Sequence, residues 1–216
     1  MRTTIDALLT GTVRGFTLEG DTSAIAKQPV DGPRRIGFLG IEGDEQADLA
    51  NHGGRDKAIH HYPRDHYPGW QGLLGDLPRL AAAGAFGENI STSGWNETDV
   101  CLGDRFRLGT ALVEIAQGRQ PCWKQSHHLS TNAVVKAMVA TARTGWYYRV
   151  IEEGEVAAGD AIALVERPLP DWSVWRMFRL LIGGGHRGEQ AALHDLSTIA
   201  LLADGWRDRA ARLAGA

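Results

Sequence analysis

The chain has 216 residues, 43% of them hydrophobic, and a formal net charge of −3 at pH 7. This length and composition predict a folded soluble protein with a substantial core, and the acidic balance argues against a general affinity for nucleic acid. Asp6 and other polar residues near the amino terminus, and the absence of long apolar runs, exclude a recognisable secretory signal and a membrane span. Two cysteines fit reduced thiols, and we expect a cytoplasmic protein.

Short apolar segments separated by glycine and aspartate fill most of the chain up to about residue 167. Several of them alternate between apolar and polar residues, which is typical of strands in an antiparallel barrel or folded sheet. In chain order they are GTVRGF, SAIAKQPV, RRIGFLGI, KAIHHY, FGENIS, DRFRLG, ALVEIAQ, WYYRVI and DAIALVE. We therefore predict a mainly β fold, with a β-barrel-like domain over residues 1–167.

Two segments interrupt this strand pattern. Residues 65–83 are rich in Leu and Ala but contain two prolines and three glycines, so they predict short helical pieces over the sheet. Residues 130–143 place Val134 and Met138 on one face of a helix. The barrel is therefore expected to carry a few inserted helices.

The composition changes at ERPLPDW, where two prolines predict a stiff connection after residue 167. Beyond it, apolar residues recur at helical spacing and a GGGHRG segment separates further short helical patterns. We predict a small three-helix domain over residues 171–216. A tail of about 45 residues buries too little surface to fold alone, so it should pack on the barrel or on another subunit, with Trp172 and Trp175 as its anchor.

Cys122 lies in the loop QGRQPCWKQ, with Arg119 three positions before it and Lys124 two positions after it. Nearby cations favour the thiolate, the form of cysteine that attacks electrophiles or binds soft metals. A proline-interrupted loop with basic residues is also an ordinary surface feature. The loop by itself leaves both interpretations open.

Four histidines, His52, His60, His61 and His66, cluster within residues 42–67, which suggests a zinc site. A strand over KAIHHYP, however, would point His60 and His61 to opposite faces. The two rings could then share one ion only across a bulge. Zinc is therefore not the favoured interpretation of this cluster.

The Gly53-Gly54 pair stands beside Arg55 and Lys57. Flexible backbone next to cations can bring amide donors against a phosphate or another anion. A plain glycine turn would have the same sequence. Both interpretations remain open at this stage.

Two further segments carry candidate binding residues. Strand alternation in SAIAKQPV would place Ser23, Ile25 and Lys27 on one face, and an inward lysine requires an anion or access to water. The segment GAFGENIS places Glu88 and Asn89 in a glycine-flanked loop that enters a strand. Such a pair is suited to hydrogen bonds with the edge of a heterocycle.

Taken in order, SAIAK, GIEGDEQADLANHGG, KAIHHYPRDHY, GAFGENIS, LGDRFRLG, GRQPCWK and TGWYYRVIEEG resemble the MOSC family of molybdenum-cofactor proteins, in particular its YiiM-type branch. The resemblance covers residues 10–167, and the tail resembles the three-helix extension of that branch. It implies a MOSC β-barrel-like domain and a molybdopterin cofactor whose molybdenum takes a thiolate from Cys122. The loop has RQPCWK where the family resemblance leads us to expect RSPCYK, so it departs at Gln120 and Trp123.

The activity that the resemblance implies is the reduction of N-hydroxylated compounds, such as 6-hydroxylaminopurine, to amines, which would detoxify mutagenic base analogues. The metal would take the oxygen of the N–O bond in a two-electron step. By the same resemblance Cys122 and His61 are the candidate catalytic residues, and Cys122 is also the metal ligand. The candidate cofactor-binding residues are Lys27, His52, Gly53, Gly54, Lys57, Glu88, Asn89, Arg119 and Lys124.

The sequence contains no flavin or nicotinamide fingerprint and no cysteine set for an iron–sulfur cluster, so a separate flavoprotein is the expected electron donor. The expected partners are this donor and a small N-hydroxylated substrate, without a nucleic acid polymer or a membrane. The chain is expected to be a monomer or a homodimer, and the tail could dock the donor or form dimer contacts.

Two other functions remain possible from the sequence. The barrel could carry the molybdenum cofactor or deliver sulfur without reducing anything. Alternatively, Cys122 could be a nucleophilic or redox-active thiol with His61 as its base.

Overall fold

The structure is a computed structural model that describes residues 1–17 and 19–215, with the backbone alone for residues 50 and 51. The strands are β1 (Arg2–Thr10), β2 (Arg14–Gly15), β3 (Thr22–Ser23), β4 (Gln28–Pro29), β5 (Arg34–Gly37), β6 (Gly40–Ile41), β7 (Ile59–Pro63), β8 (Ile90–Thr92), β9 (Arg105–Leu108), β10 (Ala111–Gly118), β11 (Trp146–Glu152), β12 (Gly154–Val156) and β13 (Ala161–Glu166). The helices are α1 (Leu49–His52), α2 (His66–Leu74), α3 (Trp123–His128), α4 (Ala133–Thr141), α5 (Val174–Leu181), α6 (Gln190–Thr198) and α7 (Asp204–Ala214), with short 3₁₀ turns at Arg55–Lys57 and Pro78–Ala81.

Seven strands close into a barrel in the order β13, β9, β10, β11, β7, β8 and β1, and β1 pairs back with β13. Six of these seven pairings are antiparallel, and β7 and β8 run parallel. Closure leaves no free edge in the ring, and β4 adds to β1 outside it. The predicted mainly β, barrel-like fold is confirmed.

Strand β1 was not among the predicted strands, although it links β8 to β13 and so closes the barrel. Its side chains at Ile5 and Leu8 are buried in the core. The signal was available, because Thr3, Thr4 and Ile5 are β-branched residues that favour strands.

The SAIAKQPV segment is not the continuous strand that alternation predicted. Only its ends pair, in β3 and β4, and the residues between them form a loop. The backbone amide of Ile25 bonds the Ser23 hydroxyl at 3.2 Å, and that of Lys27 bonds the Ile25 carbonyl at 2.9 Å. These local bonds take the groups that a strand ladder would use.

The predicted inserted helices are present as α2, the turn at Pro78–Ala81, and α4. Tyr67 and Trp70 from α2 pack with Val134 and Met138 from α4 in a second apolar cluster outside the barrel. Among the described residues, no helix is both long enough and apolar enough to cross a membrane.

The tail packs on the barrel through α5 and α7. Met177, Phe178 and Trp206 belong to one continuous apolar core with the barrel residues. Of the two tryptophans predicted to anchor the tail, Trp172 is buried, with 8% of its surface exposed, but Trp175 is 43% exposed. The prediction is therefore correct for Trp172 and wrong for Trp175. Trp175 lies outside the face of α5 that carries Met177 and Phe178, and that face attaches the tail.

Candidate active site

Two adjoining cavities meet at Cys122, a narrow one of about 70 Å³ and a wider cleft of about 570 Å³. Strand pairing explains part of their lining, because Tyr147 of β11 lies opposite His60 of β7 and opposite Gln117 of β10. These three side chains share the outer face of the barrel wall, away from the barrel core. The residues that line both cavities are Asp48, His52, Lys57, Cys122, Lys124 and Tyr147.

Cys122 precedes the first turn of α3, and its backbone amide donates to the Gln125 side-chain oxygen at 3.1 Å. Burial alone would raise the pKa of this thiol, but a hydrogen bond from His52 and the positive charge of Arg119 outweigh burial. The backbone amide of Lys124 adds to the effect, and the pKa falls to about 7. A large fraction of Cys122 is therefore thiolate at neutral pH.

Four predicted cations line the narrow cavity: Lys27, Lys57, Arg119 and Lys124. Arg119 is 5% exposed, and its Nη1 has no hydrogen-bond partner among the described residues. The Lys27 amine is paired with Asp44, and burial lowers the pKa of Lys27 while Asp44 opposes that shift. Arg119 therefore presents an unpaired buried N–H group to the cavity.

The predicted His52, Gly53 and Gly54 follow one another at the end of α1. His52 lines both cavities, and the two glycines line the wider cleft. Gly54 has φ 92°, a backbone conformation that favours glycine. A β-carbon at Gly53 would lie 3.1 Å from the Leu49 α-carbon, whereas one at Gly54 would meet open space. Gly53 is therefore favoured by close packing and Gly54 by its backbone conformation.

Lys124 lies on the other side of Cys122 from Arg119 along the chain. Its amine donates to the Thr22 carbonyl at 3.0 Å, which ties α3 to strand β3. The side chain lines both cavities. Arg119 and Lys124, which flank Cys122 in the sequence, are therefore both at the site. Arg119 has an unpaired N–H group, and the Lys124 amine is held by the Thr22 carbonyl.

The structure does not bring His61 to either cavity, where the predicted catalytic role would require it. Its ring is fully buried in the barrel, with its nitrogens 3.0 Å from the Tyr148 hydroxyl and 2.8 Å from the Thr92 hydroxyl. Burial lowers the pKa of His61 to about 3. His60, one residue earlier, lines the narrow cavity together with His52.

His60 is 2% exposed, and its ring lies 5.0 Å from that of Tyr147. Neither ring nitrogen makes a hydrogen bond of normal geometry. Burial and the charge of Arg119 lower the pKa of His60 well below its ordinary value, while the backbone at Gly87 partly opposes the shift. His60 is therefore neutral at physiological pH and can accept or donate a hydrogen bond to a ligand.

The predicted pair Glu88 and Asn89 separates into two roles. Glu88 is fully buried and accepts hydrogen bonds from the Gly84 amide at 2.7 Å, the Phe86 amide at 3.0 Å and the Tyr67 hydroxyl at 2.5 Å. Its carboxylate closes its own loop and does not line either cavity among the described contacts. Asn89 lines the narrow cavity.

The Asn89 side chain is held from both ends. Its Oδ1 accepts from the His60 amide at 3.0 Å, and its Nδ2 donates to the Leu9 carbonyl at 3.2 Å. Asn89 therefore fixes β7 relative to β1 at the base of the narrow cavity.

The sequence did not single out Tyr147, Gln117, or the contribution of the tail. Asp204, Gly205 and Trp206 at the start of α7 line the wider cleft. WYYRVI was predicted as a strand, so alternation could have placed Tyr147 on one of its faces. No local pattern indicated that α7 would reach the site, because that contact joins residues far apart in the chain.

No group of three or more His, Cys, Asp or Glu side chains within residues 1–17 and 19–215 is arranged to hold a metal ion. A metal bound at Cys122 would therefore require most of its ligands from a non-protein group. The site combines the Cys122 thiolate, several cations and the unpaired buried N–H group of Arg119.

Comparisons with known proteins show what the whole chain is similar to. Protein YiiM of Escherichia coli (strain K12) is 44% identical over 167 residues, which are 77% of this chain and 74% of that protein. A protein named Reductase from Gibberella moniliformis is 39% identical over 173 residues, or 79% of this chain but 31% of that longer protein. The crystal structure of YiiM from Geobacillus stearothermophilus superposes with a TM-score of 0.82 and 32% identity, covering 99% of this chain and 100% of that one.

A family model for the MOSC domain matches residues 48–163, more than half of the chain. The matched segment carries His52, Lys57, Asn89, Arg119 and Cys122. The similarity to solved YiiM extends over the barrel and the helical tail. The resemblance inferred from the ordered motifs is confirmed, and the chain belongs to the MOSC domain family.

Proposed function

We propose that this protein is a molybdenum-cofactor-dependent reductase that converts N-hydroxylated compounds, such as 6-hydroxylaminopurine, to the corresponding amines. The observation that carries the proposal is Cys122, a thiol with a pKa of about 7 at the junction of a cation-lined cavity and an open cleft. The family membership and the relative named Reductase support an oxidoreductase.

The residues present fit an anionic pterin cofactor. Arg119 Nη1 is a buried N–H group without a hydrogen-bond partner among the described residues, and the buried ring of His60 makes no side-chain hydrogen bond of normal geometry. Both side chains line the narrow cavity, and so does His52, whose Nδ1 is 3.6 Å from the Asp48 carboxylate. A ligand with a phosphate and a heterocycle would satisfy such groups, which are costly to leave unpaired.

The donor set also fits the metal of that cofactor. A thiolate is a soft ligand, and no protein cluster competes for the metal among the described residues. Cys122 would bind the metal, while Lys27, Lys57, Arg119 and Lys124 would hold the anionic part and His60 and Asn89 would contact the heterocycle. When bound, the group supplies a metal centre that accepts oxygen and exchanges two electrons.

The reaction balances as R–NHOH plus two electrons and two protons, giving R–NH₂ and water. The N–O bond breaks, an N–H bond forms, and the oxygen leaves as water. A separate reduced flavoprotein would supply the electrons. His52 lines both cavities and hydrogen-bonds Cys122, so in this proposal it would pass a proton to the departing oxygen.

Arg119 would have a second role besides binding. Its charge adds to the His52 hydrogen bond in lowering the pKa of Cys122, and it adds to burial in lowering the pKa of His60. The deep site also excludes bulk water, since Arg119 and His60 are each at most 5% exposed. The electrostatic effect of the guanidinium is strengthened by this exclusion.

The first test uses protein produced in a host that synthesises molybdopterin. The wild type is expected to carry molybdenum and to reduce 6-hydroxylaminopurine when a flavin reductase and reduced nicotinamide are supplied. Cys122→Ala should lose bound molybdenum and lower turnover by at least about a hundredfold, because removal of a metal ligand costs more than removal of its neighbours. Metal analysis and product quantification measure the two effects.

Cys101→Ala is the matched control. The Cys101 thiol is buried in contact with the Pro170 carbonyl at 3.4 Å and lines neither cavity among the described residues, so this variant should keep both metal and turnover. Full activity of Cys122→Ala would refute the proposal. Bound molybdenum in the wild type without reduction of any N-hydroxylated compound would instead indicate a cofactor carrier.

A further inference from the structure

The wider cleft lies between the outer face of the barrel and the beginning of α7. Gln117 and Tyr147 come from adjacent strands β10 and β11, and Trp123 comes from α3. Gly205 of α7 lines the same cleft from the tail. Its volume of about 570 Å³ is typical of sites for small organic molecules.

The cleft walls combine aromatic surface with amides. Trp123 is 51% exposed although it stands in a concave site next to Cys122, and Gln117 and Gln120 contribute side-chain amides. Exposed aromatic rings with a few hydrogen-bonding groups are suited to a planar heterocycle.

The carboxylates of the cleft are already paired. The Asp56 carboxylate lies 2.8 Å from the Arg149 guanidinium, and the Asp204 carboxylate lies 2.6 Å from that of Arg207. The third carboxylate of the cleft, Asp48, lies 3.6 Å from a ring nitrogen of His52. The cleft is therefore better suited to an uncharged ring than to a cationic one, and its cations Arg55, Lys57 and Lys124 oppose a cationic ring further.

The start of α7 is held firmly against the barrel. The Ala203 amide donates to the Ala116 carbonyl of β10 at 3.1 Å. Trp206 packs so closely on Gly118 that a β-carbon at Gly118 would lie 3.0 Å from the indole ring. The tail therefore forms a wall of the cleft with a defined position.

Gly205 leaves room at this wall. It is exposed, and a β-carbon built on it would meet no heavy atom within 4 Å. We propose that the cleft binds the planar base of the substrate, with Trp123 stacking on the ring and with the missing side chain at Gly205 setting the size of base admitted. This inference rests on the proposed reductase function, which supplies the substrate. It concerns only how the ring of that substrate binds.

The experiment measures binding of adenine, the amine product of 6-hydroxylaminopurine, to the molybdenum-loaded protein by isothermal titration calorimetry. Gly205→Leu and Trp123→Ala should each raise the dissociation constant at least about tenfold, by filling the cleft and by removing the stacking ring. Gly72→Leu is the matched control, because Gly72 is an exposed helical glycine of α2 whose β-carbon would also meet open space. It should bind adenine as the wild type does.

Kinetics provide a second measurement on the same variants. Gly205→Leu should raise KM for 6-hydroxylaminopurine about tenfold or more, with kcat/KM for the ringless N-methylhydroxylamine unchanged. Equal loss on both substrates would overturn the size-selecting role of Gly205.

The outcomes separate this inference from the proposed function. Equal adenine affinity in wild type, Gly205→Leu and Trp123→Ala, or no adenine binding to the wild type, overturns the base site whatever the turnover. Adenine binding that is weakened in both variants, in a wild type that reduces neither substrate, supports the base site and refutes the reductase. Thermal melting of each variant establishes that it is folded before binding is measured.

Discussion

His60 and His61 are neighbours in β7, yet one ring lines the narrow cavity and the other is enclosed in the barrel core. Period-two alternation predicted that they face opposite sides, and this is what the strand does. Alternation does not say which side is the core. That depends on Trp146 and Tyr148, whose rings lie 4.4 and 5.8 Å from the His61 ring.

The buried His61 leads to a prediction about pH. Burial holds the pKa of His61 at about 3, below its unfolded value near 6.5, so as pH falls below 6.5 the unfolded chain takes up a proton that the folded chain refuses. His61 should therefore lower the free energy of unfolding by about 2 kcal/mol when the pH falls from 7 to 5. Urea denaturation at both pH values measures the difference.

His61→Gln should lower stability at pH 7 but reduce the loss between pH 7 and pH 5 by about 2 kcal/mol. His194→Gln is the control, because His194 is exposed on α6 and should leave the pH dependence unchanged. The same pH dependence in His61→Gln as in the wild type would contradict this account.

At the scale of single elements, the β9–β10 hairpin depends on one backbone position. Leu108 pairs with Ala111, which leaves a two-residue turn of Gly109 and Thr110. Gly109 has φ 56°, and a β-carbon on it would lie 2.2 Å from the Glu155 carbonyl oxygen. The turn therefore needs glycine both for its conformation and for its close approach to β12.

Gly109→Ala is expected to lower the free energy of unfolding by about 2–4 kcal/mol, from left-handed strain and from overlap with Glu155. Gly159→Ala is the matched control, because φ is 92° there but a β-carbon would meet open space. It should cost only about 1 kcal/mol. Urea denaturation measures the free energy of unfolding of both variants. Equal losses in the two would contradict this account of Gly109.

Across the whole molecule, the barrel and the tail share one apolar core. Met177, Phe178 and Leu193 of the tail join Phe106 and Val113 of the barrel in that core. The barrel also closes only because β1, at the beginning of the chain, pairs with β13 near residue 162. Contacts between distant parts of the chain therefore hold both the fold and the cleft.

Phe178→Ala should destabilise the protein by about 3–5 kcal/mol, because Phe178 is fully buried in the shared core. Trp175→Ala on the same helix should cost less than about 1 kcal/mol, since Trp175 is 43% exposed. Circular dichroism and tryptophan fluorescence should report one coincident transition in the wild type. Separate transitions for barrel and tail would contradict a shared core.

Much of the site could be predicted from local chemistry and ordered motifs. Cys122 with its flanking cations, the Gly53-Gly54 turn and Lys27 are all brought to the cavities. Lys27 is there although the strand expected around it is a loop, so its place depends on the turn at Ile25 and on Asp44. Glu88 was predicted for the cofactor but is bound by its own loop, which residue type alone could not reveal.

The sequence by itself determined the mainly β architecture, the inserted and terminal helices and the family, because apolar periodicity and ordered motifs are local properties of the chain. The tertiary structure decided which histidine faces the cavity, that β1 closes the barrel and that α7 forms a wall of the cleft. These features depend on which distant segments pack together, since burial and strand pairing are set by contacts between residues far apart in the sequence.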